Sequence, residues 1–308
     1  MPDADFSRRW RFCVAPMLDW TDTHCRVFHR SLSRHARLYT EMITSPALVH
    51  GNRDRLLRFS EVEHPVACQL GGSDPAELAQ AAKWVAERGY DEVNLNCGCP
   101  SERVQRGSFG ACLMLEPKLV ADCFKAMRDA VDIDVTVKHR IGVDKEDSYG
   151  FVRDFVGTLF DAGCRVFIVH TRAAWLKGLS PKENREVPPL KRDYAYALKK
   201  DFPEAVICVN GAVKTLETAE EIIAAGCDGV MVGREAYQNP WILTDVDARL
   251  FGDETVRAVT RSEIIDRMTA YLKEKVPADP LALRGTTRHM LGLLNGLAGA
   301  KAYRRTLS

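Results

Sequence analysis

The chain has 308 residues and none of its apolar runs is long enough to cross a bilayer; the longest are strand-length. Its opening, "MPDADFSRRW", carries Asp3 and Asp5 and lacks an apolar h-region, so no secretory signal is expected. There is no C-x₂-C pair with a second pair of ligands, the usual start of a zinc site, and no metal is expected. Acidic residues are missing from one place. From Leu281 onward there is no Asp or Glu, while Arg284, Arg288, Lys301, Arg304 and Arg305 all fall there. The net charge of +1 does not announce a polyanion partner. The acid-free basic tail is an asymmetry that needs a cause.

What is present is a repeating pattern. Short apolar, β-branched runs recur at 12–17, 38–43, 66–71, 92–97, 134–140, 166–172, 206–211 and 229–234. Amphipathic stretches of helical length separate most of them, such as "DPAELAQAAKWVAERG" and "TLETAEEIIAAG". Eight such units imply an α/β protein of parallel βαβ repeats, with strands buried on both faces. About 240 residues for eight units is the size of a closed (β/α)₈ TIM barrel, with a doubly wound open sheet as the alternative. After Phe251 the β signal stops. "TRSEIIDRMTAYLKEKV" reads as a capped amphipathic helix and is followed by further helical sequence. The expected division is a barrel over 1–252 and a small all-helical domain over 253–308. Of the ten cysteines, Cys13, Cys68 and Cys208 sit in strand-like runs, as buried reduced thiols do in a cytoplasmic protein.

Active sites of such barrels lie at the C-terminal ends of the strands. Those ends hold Pro16 and Met17, Gln69, Asn96 with Cys97 and Cys99, Lys138, His139 and Arg140, His170 and Arg172, Asn210 and Gly211, and Gly233 and Arg234. A lysine in an apolar strand is costly unless it meets an anion or an electron-rich ligand. Glycine-bearing turns after the last two strands suit a phosphate held by backbone N–H groups, with Arg234 adding a charge. Taken alone, His170 and Gln69 are as well explained as satisfied core residues. The pair Cys97 and Cys99 is one residue too close for a zinc motif, and a C-x-C disulfide would be strained.

"VNLNCGCPSERVQRGSFGA" (93–111), with its N-x-G-C-P core, resembles the signature of the tRNA-dihydrouridine synthases. "APMLDWTD", "QLGG", "VKHRIG", "VNGAV" and "VGREAYQNPW" are similar to the rest of that family, nearly end to end. "LKGLSPKENR" and "TRHMLGL…GAKAYRR" resemble its subgroup A in particular. The resemblance implies a barrel with tightly bound FMN and a helical tRNA-binding domain. It implies reduction of the C5=C6 bond of a D-loop uridine at position 20 or 20a, with NADPH as reductant. Ala212 departs from the family pattern, which often has Gly-Gly after the asparagine.

By the same resemblance, Cys99 is the proton donor, Asn96 contacts the base, and Lys138 and His170 bind the flavin. Ala15, Pro16, Met17 and Gln69 would line the ring system, and Asn210, Gly211, Ala212, Gly233 and Arg234 would hold the phosphate. Lys182, Arg185, Lys301 and Arg304 would orient tRNA. The chemistry is consistent with this. Hydride addition at C6 leaves a C5 carbanion equivalent that needs an acid, and a thiol with a free pKa of about 8.5 still carries its proton at neutral pH. Cys97 then reads as a packing residue. A tRNA substrate also accounts for the basic tail. Two alternatives remain: a flavin barrel acting on a free pyrimidine, as dihydroorotate dehydrogenases do, and an RNA-binding chaperone without turnover.

Overall fold

The computed structural model describes residues 4–307 except 103, 105, 106 and 108. Eight parallel strands form the ring: β1 (Phe12–Val14), β2 (Arg37–Tyr39), β3 (Val66–Gly71), β4 (Glu92–Cys97), β5 (Asp134–Arg140), β6 (Val166–His170), β7 (Val206–Asn210) and β8 (Gly229–Val232). Each pairs with the next, and β1 pairs with β8, so the sheet closes on itself. Closure excludes the open doubly wound sheet. The expected run at 38–43 is divided. It gives β2 and a separate two-residue strand, Ile43–Thr44, because the Thr40 hydroxyl accepts the Gln69 N–H where a ladder bond would have run.

Helices cover the outside, and their ends follow from local chemistry. Asp74 caps Pro75–Glu87 by accepting from the Glu77 N–H, with proline at the first turn where no donor is needed. Thr215 caps Leu216–Ala224 in the same way. Along each strand, alternate side chains face these helices or the barrel interior. In β4, Val93, Leu95 and Cys97 join the outer apolar core. The interior itself has two characters. Cys13, Ala15, Val166, Ile168, Val206, Cys208 and Met231 make an apolar half, whereas Arg37, Gln69, Glu92, Asn94, Asn96 and Thr136 are all buried polar groups.

The helical C-terminal part follows the barrel. Thr260 and Glu263 form a capping box for Arg261–Lys275, and shorter helices run over Pro280–Thr287 and Ala300–Leu307. It leans on the barrel helix Thr23–Leu32: the Tyr271 hydroxyl meets His24 Nδ1 at 2.7 Å, and Arg267 donates to the Ser31 carbonyl. His289 reaches Asp22 at 3.0 Å, and that bond holds the Asp22 carboxyl well below the usual carboxylate range against the opposing effect of burial. Asp22 also lines the cavity described next, so the helical part is tied to the cavity's rim. No helix among the described residues is long and apolar enough to cross a membrane.

Candidate active site

A cavity of about 1240 Å³ opens at the C-terminal ends of the strands. Every residue expected from the sequence to meet the flavin lies in its wall: Ala15, Pro16, Met17, Gln69, Lys138, His170, Asn210, Gly211, Ala212, Gly233 and Arg234. Asn96, Cys99 and Arg185 line it as well. Lys182, Lys301 and Arg304 do not; they are exposed and lie outside it.

The two thiols of the C-x-C stretch separate. Cys97 is fully buried on the helix side of β4, and burial pushes its thiol well up, with Cys123 and Cys164 adding to the effect. Cys99, past the strand end, is partly exposed in the cavity wall and donates to the Ser101 hydroxyl at 3.5 Å. Asn96 holds the turn between them: its Oδ1 accepts from the backbone N–H groups of Gly98 and Cys99 at 3.1 and 3.0 Å. Arg140 holds the same turn from below. Its buried guanidinium donates to the carbonyls of Gly98, Ala173 and Asn184 at 2.8–2.9 Å.

The electrostatics favour an electron-rich ligand. Burial, then the neighbouring Arg140, pushes Lys138 down to about 8, and no carboxylate among the described residues is paired with it. His170 is held well below its ordinary value by burial and by Arg140 and Lys138, so it is neutral. Toward the β6–β8 end, Arg172 is lowered by burial and then by Arg234 and Arg192, and Arg185 by burial and then Arg234. Cations that depress one another call for an anion, and Glu186, ion-paired to Arg234, answers only part of this. The Nε atoms of both Arg172 and Arg192 are buried without a partner.

The turn after β7 is built for a close approach. Gly211 has φ +119°, and a Cβ there would meet the Thr171 hydroxyl at 2.9 Å. Ala212 follows at φ +50°, a left-handed conformation that favours glycine. Arg192 holds the turn by donating to the Ala212 carbonyl at 2.9 Å. Here the departure at Ala212 acquires a physical meaning: the backbone keeps the shape that glycine would adopt freely.

Comparison with known proteins settles the family. The sequence model for "Dihydrouridine synthase (Dus)" matches residues 13–308. The chain belongs to the dihydrouridine synthase family. It is 58% identical over 298 residues to a tRNA-dihydrouridine(20/20a) synthase of Pseudomonas aeruginosa, covering 97% of this chain and 89% of that protein. It is 56% identical over 299 residues to the protein of the same name from Vibrio vulnificus, covering 97% and 90%. With the Salmonella typhimurium protein of that name it shares 56% identity over 300 residues, covering 97% and 89%. Among solved structures it resembles a 2-naphthoyl-CoA reductase complex, with a TM-score of 0.60 at 12% identity over 77% of this chain and 49% of that one, a likeness of fold alone.

Within this dihydrouridine synthase, sequence reasoning left out several residues that shape the cavity. Arg140 was visible at a strand end, but its three carbonyl partners come from segments far apart in sequence. Glu92 and Asn94 stand two apart below Asn96, at the strand period, and that spacing was the available signal. His289 gave no signal, because its partner Asp22 lies 267 residues away. Among the described residues, no group of three or more His, Cys, Asp or Glu is arranged to hold a metal ion.

Proposed function

We propose that the protein reduces a uridine in the D-loop of tRNA, at position 20 or 20a, to 5,6-dihydrouridine, with FMN held in the cavity and NADPH as the source of electrons. The observation that carries this reading is Cys99. Its thiol lines the same cavity as Lys138, His170 and Gln69, on a turn fixed by Asn96 and Arg140. The donor set fits FMN. Lys138 is a cation without a carboxylate partner, suited to the electron-rich edge of a flavin; the arginine cluster and the Gly211–Ala212 turn suit its phosphate.

When bound and reduced, the flavin supplies the hydride that adds at C6 of uracil. The chain's own residues do the rest. Asn96 holds the base, and Cys99 gives a proton to C5, so that one hydride and one proton saturate the C5=C6 bond; the thiolate then regains its proton from solvent. The side chain of Met17, with Ala15 and Pro16, supplies an apolar wall that excludes water from the ring system. The uridine must leave its place in the tRNA fold to reach this depth, so the backbone has to be gripped outside the cavity. Lys182, Arg185, Lys301 and Arg304 are the residues for that grip, and residues 253–308 are the tRNA-binding part attached to a catalytic barrel over 1–252. Ten free cysteines support a reducing, cytoplasmic setting.

The test compares two thiols. Cys99→Ala should keep flavin binding and flavin reduction by NADPH while losing oxidation of the reduced flavin by tRNA. Cys97→Ala should turn over nearly as the parent does. Full activity of the Cys99 variant would overturn the proton-donor assignment. Turnover of free uridine or dihydroorotate at the rate of tRNA would favour a small-molecule reductase instead.

A further inference from the structure

A continuous chain of hydrogen bonds climbs the polar half of the barrel interior. The backbone N–H groups of Gly98 and Cys99 donate to Asn96 Oδ1. Asn96 Nδ2 donates to Gln69 Oε1 at 2.8 Å, Gln69 Nε2 to Asn94 Oδ1 at 2.7 Å, and Asn94 Nδ2 to the Thr136 hydroxyl at 2.7 Å. Thr136 donates to Glu92 Oε1 at the floor. Every link runs in one direction, from the cavity toward the carboxylate.

That direction is imposed from both ends. Glu92 Oε1 also accepts from the Tyr39 hydroxyl at 2.7 Å, and Oε2 accepts from Trp10 Nε1 at 2.9 Å and Arg37 at 3.0 Å. Trp10 and Arg37, which can only donate, fill Oε2, and burial raises the carboxyl while Arg37 and the other donors oppose that rise, so Glu92 serves as the acceptor at the end of the chain. Thr136 must therefore donate to it, which leaves the Thr136 oxygen to accept from the Asn94 amide nitrogen. That forces the orientation of Gln69, and then of Asn96. At the other end the backbone N–H groups can only donate. Any amide turned over would set donor against donor in a buried site.

We propose that Glu92 is a positioning residue: through Thr136, Asn94, Gln69 and Asn96 it fixes the turn that carries Cys99 and the way two cavity-lining amides face the ligand. Both acceptor sites of Asn96 Oδ1 are taken by the turn and one N–H by Gln69, so Asn96 offers the ligand a single N–H donor. That suits a carbonyl oxygen such as those of uracil, and it opposes an exocyclic amine such as that of cytosine. The link to turnover rests on Cys99 being the proton donor; the structural part does not.

The test breaks the chain one link from the carboxylate. Thr136→Val keeps the side-chain shape, and Glu92 keeps Arg37, Tyr39 and Trp10; Thr136→Ser keeps the hydroxyl. Amide hydrogen exchange at Gly98 and Cys99 in Thr136→Val should quicken by about tenfold or more, with Val14 and Val232 across the barrel unchanged. Thr136→Ser should restore the parent rate. Dihydrouridine formation per folded molecule should fall by about tenfold in the valine variant and recover in serine, with tRNA affinity unaltered. Exchange at Gly98 and Cys99 that does not move would overturn the proposal. So would exchange that quickens equally throughout the barrel, which is general loosening. Quickened exchange with undiminished turnover would overturn the role in positioning. Local quickening in Thr136→Val alongside a fully active Cys99→Ala would remove the proton-donor reading and leave the chain standing.

Discussion

Replacing Arg140 by methionine tests whether a buried cation serves stability or placement. Its guanidinium has three carbonyl partners, and no buried carboxylate is paired with it among the described residues. Leaving three carbonyls without a donor costs roughly 1–3 kcal/mol each. Against this, burial pushes Arg140 down to about 9 from 12.5. At about 1.4 kcal/mol per tenfold, carrying its charge in that place costs on the order of 5 kcal/mol. The two effects are of similar size, so Arg140→Met should change stability by less than about 3 kcal/mol, a shift in Tm of about 10 °C at most. Function should suffer more. Gly98 adjoins Cys99, and Asn184 and Ala173 belong to the segment bearing Lys182 and Arg185, so the guanidinium joins the turn carrying Cys99, the proposed proton donor, to the loop expected to meet tRNA. A displacement of about 1 Å there should lower turnover by about 100-fold. Arg140→Lys should not restore it, because one ammonium cannot span three carbonyls as the planar fork does. The assays are a urea melt and single-turnover oxidation of the reduced enzyme by tRNA. A methionine variant that is severely destabilised yet keeps full turnover per folded molecule would refute the argument.

Three further outcomes are expected. Ala212→Gly should raise stability by about 0.5 kcal/mol, because relief of the left-handed strain exceeds the added freedom of the unfolded chain; a lower urea midpoint would count against this. Flavin affinity should be steady below pH 8 and fall above it, since free Lys138, lowered to about 8, loses there the charge that the ligand favours. Binding should then take up a proton, and Lys138→Met should flatten the profile measured by flavin fluorescence quenching. Reversing Lys301 and Arg304 to glutamate should weaken tRNA binding and lower the slope of log affinity against log salt by about 1–2, with the flavin spectrum intact; an unchanged slope would remove the tail from the grip.

The barrel was legible because eight buried strands leave eight apolar runs, and the capped helix after Thr260 was legible because its Thr-x-x-Glu box is local. The cavity-lining residues could be read for a related reason: a closed parallel barrel gathers every strand's C-terminal end in one place, so reading the ends is reading the site. Tertiary pairings were not legible. The His289–Asp22 bond and the three carbonyls of Arg140 depend on loops whose meeting no local pattern encodes. Lys182, Lys301 and Arg304 lie outside the cavity on the surface, where the proposed grip on tRNA would need them, and the fold of one chain does not reveal such a partner's outline.

The stretch from Glu92 to Cys99 shows where local periodicity suffices and where it stops. Alternation alone turns Cys97 toward the helices and Asn96 toward the interior, and so divides the two thiols before any chemistry is considered. The same alternation places Glu92, Asn94 and Asn96 in one interior column. It does not say what joins them. Gln69 comes in from β3 and Thr136 from β5, and only the register Gln69 beside Asn94 and Asn94 beside Thr136 makes one chain of separate polar residues. A one-residue slip in either pairing would send a methyl group where an amide is needed and leave buried donors orphaned at several kcal/mol. The polar column therefore constrains the barrel's register as well as the orientation of the amides in it, and Glu92, beside Arg37, closes it as the acceptor at the floor.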